Sequence, residues 1–160
     1  MKSHTITLLV ENRFGALSRI SGLFSARGYN IESLTVAPTT DPTVSRMTIV
    51  TSGDDRVIEQ IGKQLNKQID VIKVWNVAEY DHIGRELILV RVSTENHKQD
   101  EIIRAGSSFG AQVVDVADKS LAFEMMGDEQ EVENFLNLVK PFGIKELIRS
   151  GMLAMLKESK

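Results

Sequence analysis

A chain of 160 residues with 42% hydrophobic and 26% charged residues has the makeup of soluble globular domains, so a packed core is expected and disorder is not. The formal net charge of −3 gives no pull toward nucleic acid or anionic membranes, and the absence of cysteine removes disulfides, thiolate metal sites and thiol nucleophiles together, in keeping with a reducing compartment. Residues 1–4 run straight into an alternating segment without an apolar leader, and no stretch approaches the roughly 18 apolar residues of a membrane span. A cytoplasmic location is expected.

Residues 4–11 alternate between apolar and polar side chains, which predicts a strand. Leu17, Ile20, Leu23 and Phe24 then recur at helical spacing as one face, and Gly28 is placed to end that helix in the left-handed conformation. A second strand is predicted over 30–37, and Pro38 to Pro42 reads as a turn into a third strand at 44–51. Residues 52–55 cap a second helix with Val57, Ile58, Ile61 and Leu65 on its apolar face, and 71–77 alternates again. The order is β-α-β-β-α-β.

The same order then recurs, with a strand at 86–93, a helix at 97–109, strands at 111–117 and 120–126, a helix at 129–139 and a strand at 143–149. Two segments correspond directly: Arg27 to Leu34 with Phe109 to Val116, and Ser52 to Glu59 with Met126 to Glu133. The length allows one ordinary domain or two small ones of about 75 residues, and the repeat favours two. The expected fold class is therefore α+β, two ferredoxin-like βαββαβ units over residues 1–79 and 84–160, joined by a linker at 79–84.

Between the first strand and first helix lies Asn12-x-x-Gly15, followed by Ala16, Leu17 and Ser18. A helix that opens there leaves its first N–H donors without intrahelical partners and carries partial positive charge, which suits a small carboxylate or phosphate. The same residue types also mark ordinary turns and caps, and Asn30 just past Gly28 is open to both readings. In the second copy the corresponding residues, Ser93 to Lys98, lack the glycine, so only the first copy is expected to receive an anion. Gly15 has no catalytic carboxylate dyad or Ser-His pairing beside it. His4, His82 and His97 have no ligand-like spacing and are expected at the surface or at strand ends. With 6% aromatic residues, the base-stacking surface of a similarly folded RNA-binding domain has little support.

The run Glu11-Asn-x-x-Gly-Ala-Leu-Ser-Arg-Ile, continued through Arg27-Gly-Tyr-Asn-Ile-Glu-Ser-Leu and Asp41-Pro-Thr-x-Ser-Arg-Met-Thr-Ile, closely resembles the regulatory small subunits of acetolactate synthase. Its first half is similar to an ACT domain. The resemblance is dense over 5–77 and looser over 84–155. It implies a subunit without catalytic residues, cofactor or metal of its own, partnered by a catalytic subunit that holds thiamine diphosphate, magnesium and FAD. It also implies a homodimer formed through ACT domains and feedback inhibition by valine or another branched-chain amino acid. Residue by residue, Asn12, Gly15, Ala16, Leu17 and Ser18 would form one wall of the effector site, with Asn30 and Ile31 approaching from a partner domain. Other readings are a stand-alone amino-acid sensor and a small ferredoxin-like enzyme such as an acylphosphatase, for which Asn12-Arg-Phe-Gly is a poor phosphate loop.

Overall fold

The computed structural model describes residues 2–158 and contains the expected element order twice. In the first unit, β1 (Lys2–Glu11), β2 (Ile31–Pro38), β3 (Val44–Gly53) and β4 (Val71–Asn76) form an antiparallel sheet in the order β2-β3-β1-β4. Helices α1 (Ala16–Ala26) and α2 (Asp55–Leu65) supply the rest of its core. The two-residue period of β1 puts Ile6, Leu8 and Val10 on one face, where they meet Met47 and Ile49 of β3 and the inward stripes of both helices.

On α1 that stripe is Ala16, Ile20, Leu23 and Phe24, with Leu17 left 43% exposed. Leu17 is only about 20° round the helix from Phe24, so its exposure does not follow from angle alone. The helix closes as expected. Gly28 adopts φ 68°, and the N–H groups of Gly28 and Tyr29 donate to Ser25 O and Phe24 O at 3.1 and 3.0 Å. At the start of α2 the Asp54 carboxylate accepts from the Val57 N–H at 2.9 Å.

The second unit repeats the plan with β5 (His82–Ser93), α3 (Gln99–Ser107), β6 (Gln112–Ala117), β7 (Ser120–Gly127), α4 (Glu129–Val139) and β8 (Ile144–Arg149), in the sheet order β6-β7-β5-β8. Ile88, Val90 and Val92 line up with Leu121, Phe123 and Met125 under Ile102, Val132, Phe135 and Val139. Asp128 and Glu131 form a capping box on α4. Glu86 is buried at the sheet end and is held by Arg149 through Nε to Oε1 at 3.0 Å and Nη2 to Oε2 at 2.7 Å.

The chain divides into compact units differently from the expected 1–79 and 84–160. Residues up to Ile83 together with those from Met152 onward form one unit, and Gly84–Gly151 the other. The difference arises from an unexpected ninth strand, β9 (Leu153–Leu156), which belongs with the first unit. Lys157 N–H donates to Asp81 O at 2.8 Å, the Thr35 hydroxyl donates to Met152 O at 3.5 Å, and β9 lies against β1. Four residues, with Leu153 and Met155 exposed and only Ala154 buried, carry too short a period to be read from sequence. Among the described residues no helix is long and apolar enough to cross a membrane.

Truncation after Gly151 removes β9, with the hydrogen bonds to Asp81 and Thr35 and the burial of Ala154, from the first unit, and is expected to cost about 1–3 kcal/mol there. Hydrogen exchange should show loss of protection along β1 with the Ile88–Val92 amides unchanged. Equal protection in the two chains would mean that the terminal segment contributes no stability.

Candidate functional site

The turn after β1 is fixed from both sides. Glu11 N–H donates to Asp70 O at 2.8 Å, and Asn12 N–H donates to Thr43 O at 2.7 Å. The Asn12 side chain donates from Nδ2 to Pro42 O at 2.9 Å, which aims its Oδ1 away as an acceptor for a further donor. Gly15 then sits at φ 81°, ψ −7°, as the N-cap of α1 without a side-chain cap. A left-handed N-cap with no Cβ lets the chain enter the helix with its amides turned outward. Ala16 N–H donates to Arg13 O at 3.3 Å, while the N–H groups of Phe14, Gly15, Leu17 and Ser18 find no backbone acceptor among the described residues.

The electrostatics differ from those of the other helices. The first turns of α2, α3 and α4 carry Asp55, Asp100 with Glu101, and Glu129 with Glu131 respectively, whereas α1 has no acidic residue in its first turn. Carboxylates already offset the positive ends of α2, α3 and α4; that of α1 remains available to an external anion. The second copy departs as the sequence indicates: α3 starts from Lys98 at φ −67°, with its two acids following.

Three residues that sequence reasoning missed lie beneath the turn. Asp70 is 1% exposed, and its carboxylate accepts from Arg13 Nε at 2.6 Å and from Arg19 Nε. Arg19 also donates through Nη2 to Phe14 O at 3.2 Å, and Arg13 lies 3.0 Å from Glu11. The hydrogen bond from Arg19, with that from Arg13 and both positive charges, holds the Asp70 carboxyl below its ordinary range against the opposing effect of burial. The arginines are visible as flanks of Gly15 in the sequence. Asp70, 55 residues beyond Gly15, has no local pattern to mark it.

Of the expected site residues, the structure gathers Asn12, Gly15, Ala16, Leu17 and Ser18 at one end of the sheet, with Ala16 buried and Leu17 and Ser18 open to solvent. It does not bring Asn30 and Ile31 to them within one chain. Ile31 pairs with Thr51, and the Asn30 carbonyl accepts from the Thr51 hydroxyl at 2.6 Å, whereas Glu11 pairs with Val44. Val44 and Thr51 are seven residues apart along β3, roughly 23 Å at about 3.3 Å per residue. The Asn30 side chain is exposed. Of the histidines, His4 is buried in β1 with Nε2 4.0 Å from Asp55, His82 contacts Tyr80 O at 3.0 Å, and His97 stands edge-on to Phe142.

Residues 6–73 match a family model described as an AHAS small subunit-like ACT domain, and residues 85–158 match one described as the small subunit of acetolactate synthase. A probable acetolactate synthase small subunit of Archaeoglobus fulgidus is 49% identical over 98% of both chains. The chain belongs to the acetolactate synthase small-subunit family. The isozyme 3 small subunit of Escherichia coli is 44% identical over 97% of this chain and 96% of its own. The crystal structure of the acetolactate synthase small subunit from Thermotoga maritima superposes with a TM-score of 0.87 at 34% identity over the whole of both chains. Membership accounts for both the two-unit architecture and the glycine turn in the first unit.

Because the Asp70 carboxyl is held below its ordinary range in the folded chain, it stabilises the fold fully above its unfolded value of about 3.9, and that stabilisation is lost as pH falls through the folded value. Denaturant titrations between about pH 5 and pH 2 should therefore show the stability advantage of wild type over Asp70→Asn shrinking as the solution is acidified. An advantage that is constant over this range would show that Asp70 is not ionised in the native state.

Proposed function

We propose that this chain is the non-catalytic regulatory subunit that associates with and activates the acetolactate synthase catalytic subunit in the cytoplasm, and subjects it to feedback inhibition by valine. Thiamine diphosphate, magnesium and FAD belong to the catalytic subunit in this reading, and the transferase chemistry is performed there. The supporting observation is the divided placement of the expected effector residues. One end of the first sheet carries outward amides and an uncompensated helix N-terminus, and the other carries Asn30 and Ile31, roughly 23 Å away along β3.

A two-fold pair of chains reconciles the two ends. β2 and β4 are the edges of the first sheet. Lys73 protects the β4 edge, whereas β2 from Ile31 to Ala37 carries one charge, Glu32, and has no proline before Pro38. Antiparallel pairing of β2 with its own copy sets the Ile31 end of one chain against the Pro38 end of the other. The hairpin following Pro38 is the one that holds Asn12 through Pro42 O and Thr43 O.

An amino acid at this junction meets all its needs. Its carboxylate finds the amides around Gly15, its ammonium finds asparagine side-chain oxygens, and its apolar side chain finds Leu17 and Ile31, both incompletely buried in the single chain. Affinities between about 1 mM and 1 μM require roughly 4 to 8 kcal/mol, within reach of a few charge-assisted hydrogen bonds and one buried side chain.

Gly15→Asp should abolish valine inhibition of the reconstituted holoenzyme and leave activation largely intact. The new carboxylate occupies the anion position, and its Cβ would sit 2.7 Å from Arg19 Nη1 at a φ of 81° that disfavours L side chains. Inhibition of this variant at wild-type valine concentrations would remove the turn from the effector site.

Dimerisation has its own test. Asn12→Ala and Asn30→Ala homodimers should each bind valine poorly by calorimetry, while an isolated mixed dimer of the two, distinguished by tags, should recover about half the wild-type number of tight sites. A folded mixed dimer with no recovery would place both asparagines in one chain's own pocket.

A further inference from the structure

The proposed effector site contains an arginine whose donors are not all committed. Arg19 Nε goes to Asp70 and Nη2 to Phe14 O, but Nη1 reaches no acceptor among the described residues. That atom lies against the turn itself, 2.7 Å from where a Gly15 Cβ would be. A side chain at position 15 would therefore have to displace this guanidinium, besides adopting a φ of 81°.

We propose that Arg19, aimed by the buried Asp70, is the charged donor to the effector's carboxylate, and that it distinguishes an amino acid from the corresponding neutral amide. This rests on the reading of the Gly15 turn as the effector site and adds a residue, a role and a selectivity to it. The geometry supplies two kinds of donor side by side. One carboxylate oxygen can accept from the free amides of the first turn of α1, and the other from Nη1 of Arg19, which is half-exposed on the same side.

Asp70 is a positioning residue in this scheme. It engages Nε and leaves Nη1 beside Gly15, and it is itself fixed because its backbone carbonyl accepts from Glu11 at the end of β1. Arg13 also engages Asp70 and Glu11, both through Nε, but the guanidinium nearest the Gly15 Cβ position is that of Arg19. The four side chains Glu11, Arg13, Arg19 and Asp70 sum to zero formal charge. The cluster is therefore satisfied without ligand, and an incoming carboxylate is received without a prior bond having to break.

The test is a ligand-by-variant comparison on the full-length chain at pH 7, titrating valine and valinamide into wild type, Arg19→Gln, Arg19→Lys and Asp70→Asn. Both ligands carry the ammonium and the isopropyl group, and only valine carries the charge that Arg19 reads. Wild type should prefer valine. Arg19→Gln should lose valine affinity by about tenfold or more, the scale of a hydrogen bond to a charged group, with valinamide within about twofold of wild type. Arg19→Lys should be intermediate, since an ammonium keeps the charge but cannot span Asp70, Phe14 O and the ligand as the planar fork does. Asp70→Asn should show the same selective loss in smaller degree.

Equal losses for the two ligands would show that Arg19 serves only the turn's structure and would overturn the proposal, as would no loss for either. Wild type that binds valine and valinamide equally also overturns it while leaving the effector site intact. Wild type that binds neither removes the effector reading, and the role of Arg19 with it.

Discussion

The carboxylate of Asp70 is the point on which the geometry of the first turn depends. A buried charge is tolerated only when it is paired and hydrogen-bonded, and here two arginines on either side of Gly15 satisfy it. The consequence is a closed circuit: the end of β1 is tied to residue 70 by a backbone bond, the residue after it to Thr43 just before β3, and the start of α1 to residue 70 by Arg19. A loop of four residues that would otherwise be set only by local turn preferences is fixed by contacts from the turn before β3, from the residue before β4 and from the helix it leads into. That rigidity allows a row of bare amides to stand outward without collapsing onto a nearby carbonyl.

The two units show how one plan supports different ends. Each unit has the same alternating strands, the same two helical stripes and the same aspartate cap on the second helix, Asp54 in one and Asp128 in the other. They diverge where a ligand would enter. The first unit has a left-handed glycine and no acid at the start of its first helix; the second has Lys98 in an extended conformation, followed by Asp100 and Glu101. Those acids neutralise the helix end from within and would repel an arriving carboxylate. They also diverge at the opposite end of the sheet. At equivalent places on the last strand, Arg149 pairs with Ile88 and closes over Glu86, whereas Asn76 pairs with Ile6.

Most of this fold is legible because hydrophobic period and punctuation agree over short distances. The β-α-β-β-α-β order, the Gly28 stop and the cap of α2 depend on residues within a turn of one another, and each is found where the sequence puts it. What escaped depends on separation. Asp70 joins residues 51 and 57 positions away, and an isolated aspartate before a strand resembles any turn residue. β9 has four residues and a single buried side chain. Helical spacing groups Leu17 with Ile20, Leu23 and Phe24, yet at the first turn it is Ala16 that is buried and Leu17 that is left half-exposed. The asparagines are a different case. The resemblance assigns Asn12 and Asn30 to different chains of one site, and the strand register is compatible with that, because one chain holds them at opposite ends of its sheet.

A site divided in this way changes what regulation means physically. In the proposed pair of chains, an effector touches residues of both, so its binding free energy belongs partly to the association of the two sheets. Ligand affinity and dimer stability then become linked, and each must strengthen the other by the same factor. The side-chain slot has the same character: Leu17 is 43% exposed and Ile31 only partly covered in the single chain, and each gains a second wall when edges pair around a ligand. Such a slot discriminates weakly by size, because one methylene is worth only about 1–3 kcal/mol even in a formed pocket. Selectivity among branched-chain amino acids would therefore be modest. Selectivity for a free amino acid over other small apolar metabolites would be strong, because the ligand's carboxylate and ammonium both make charge-assisted hydrogen bonds there.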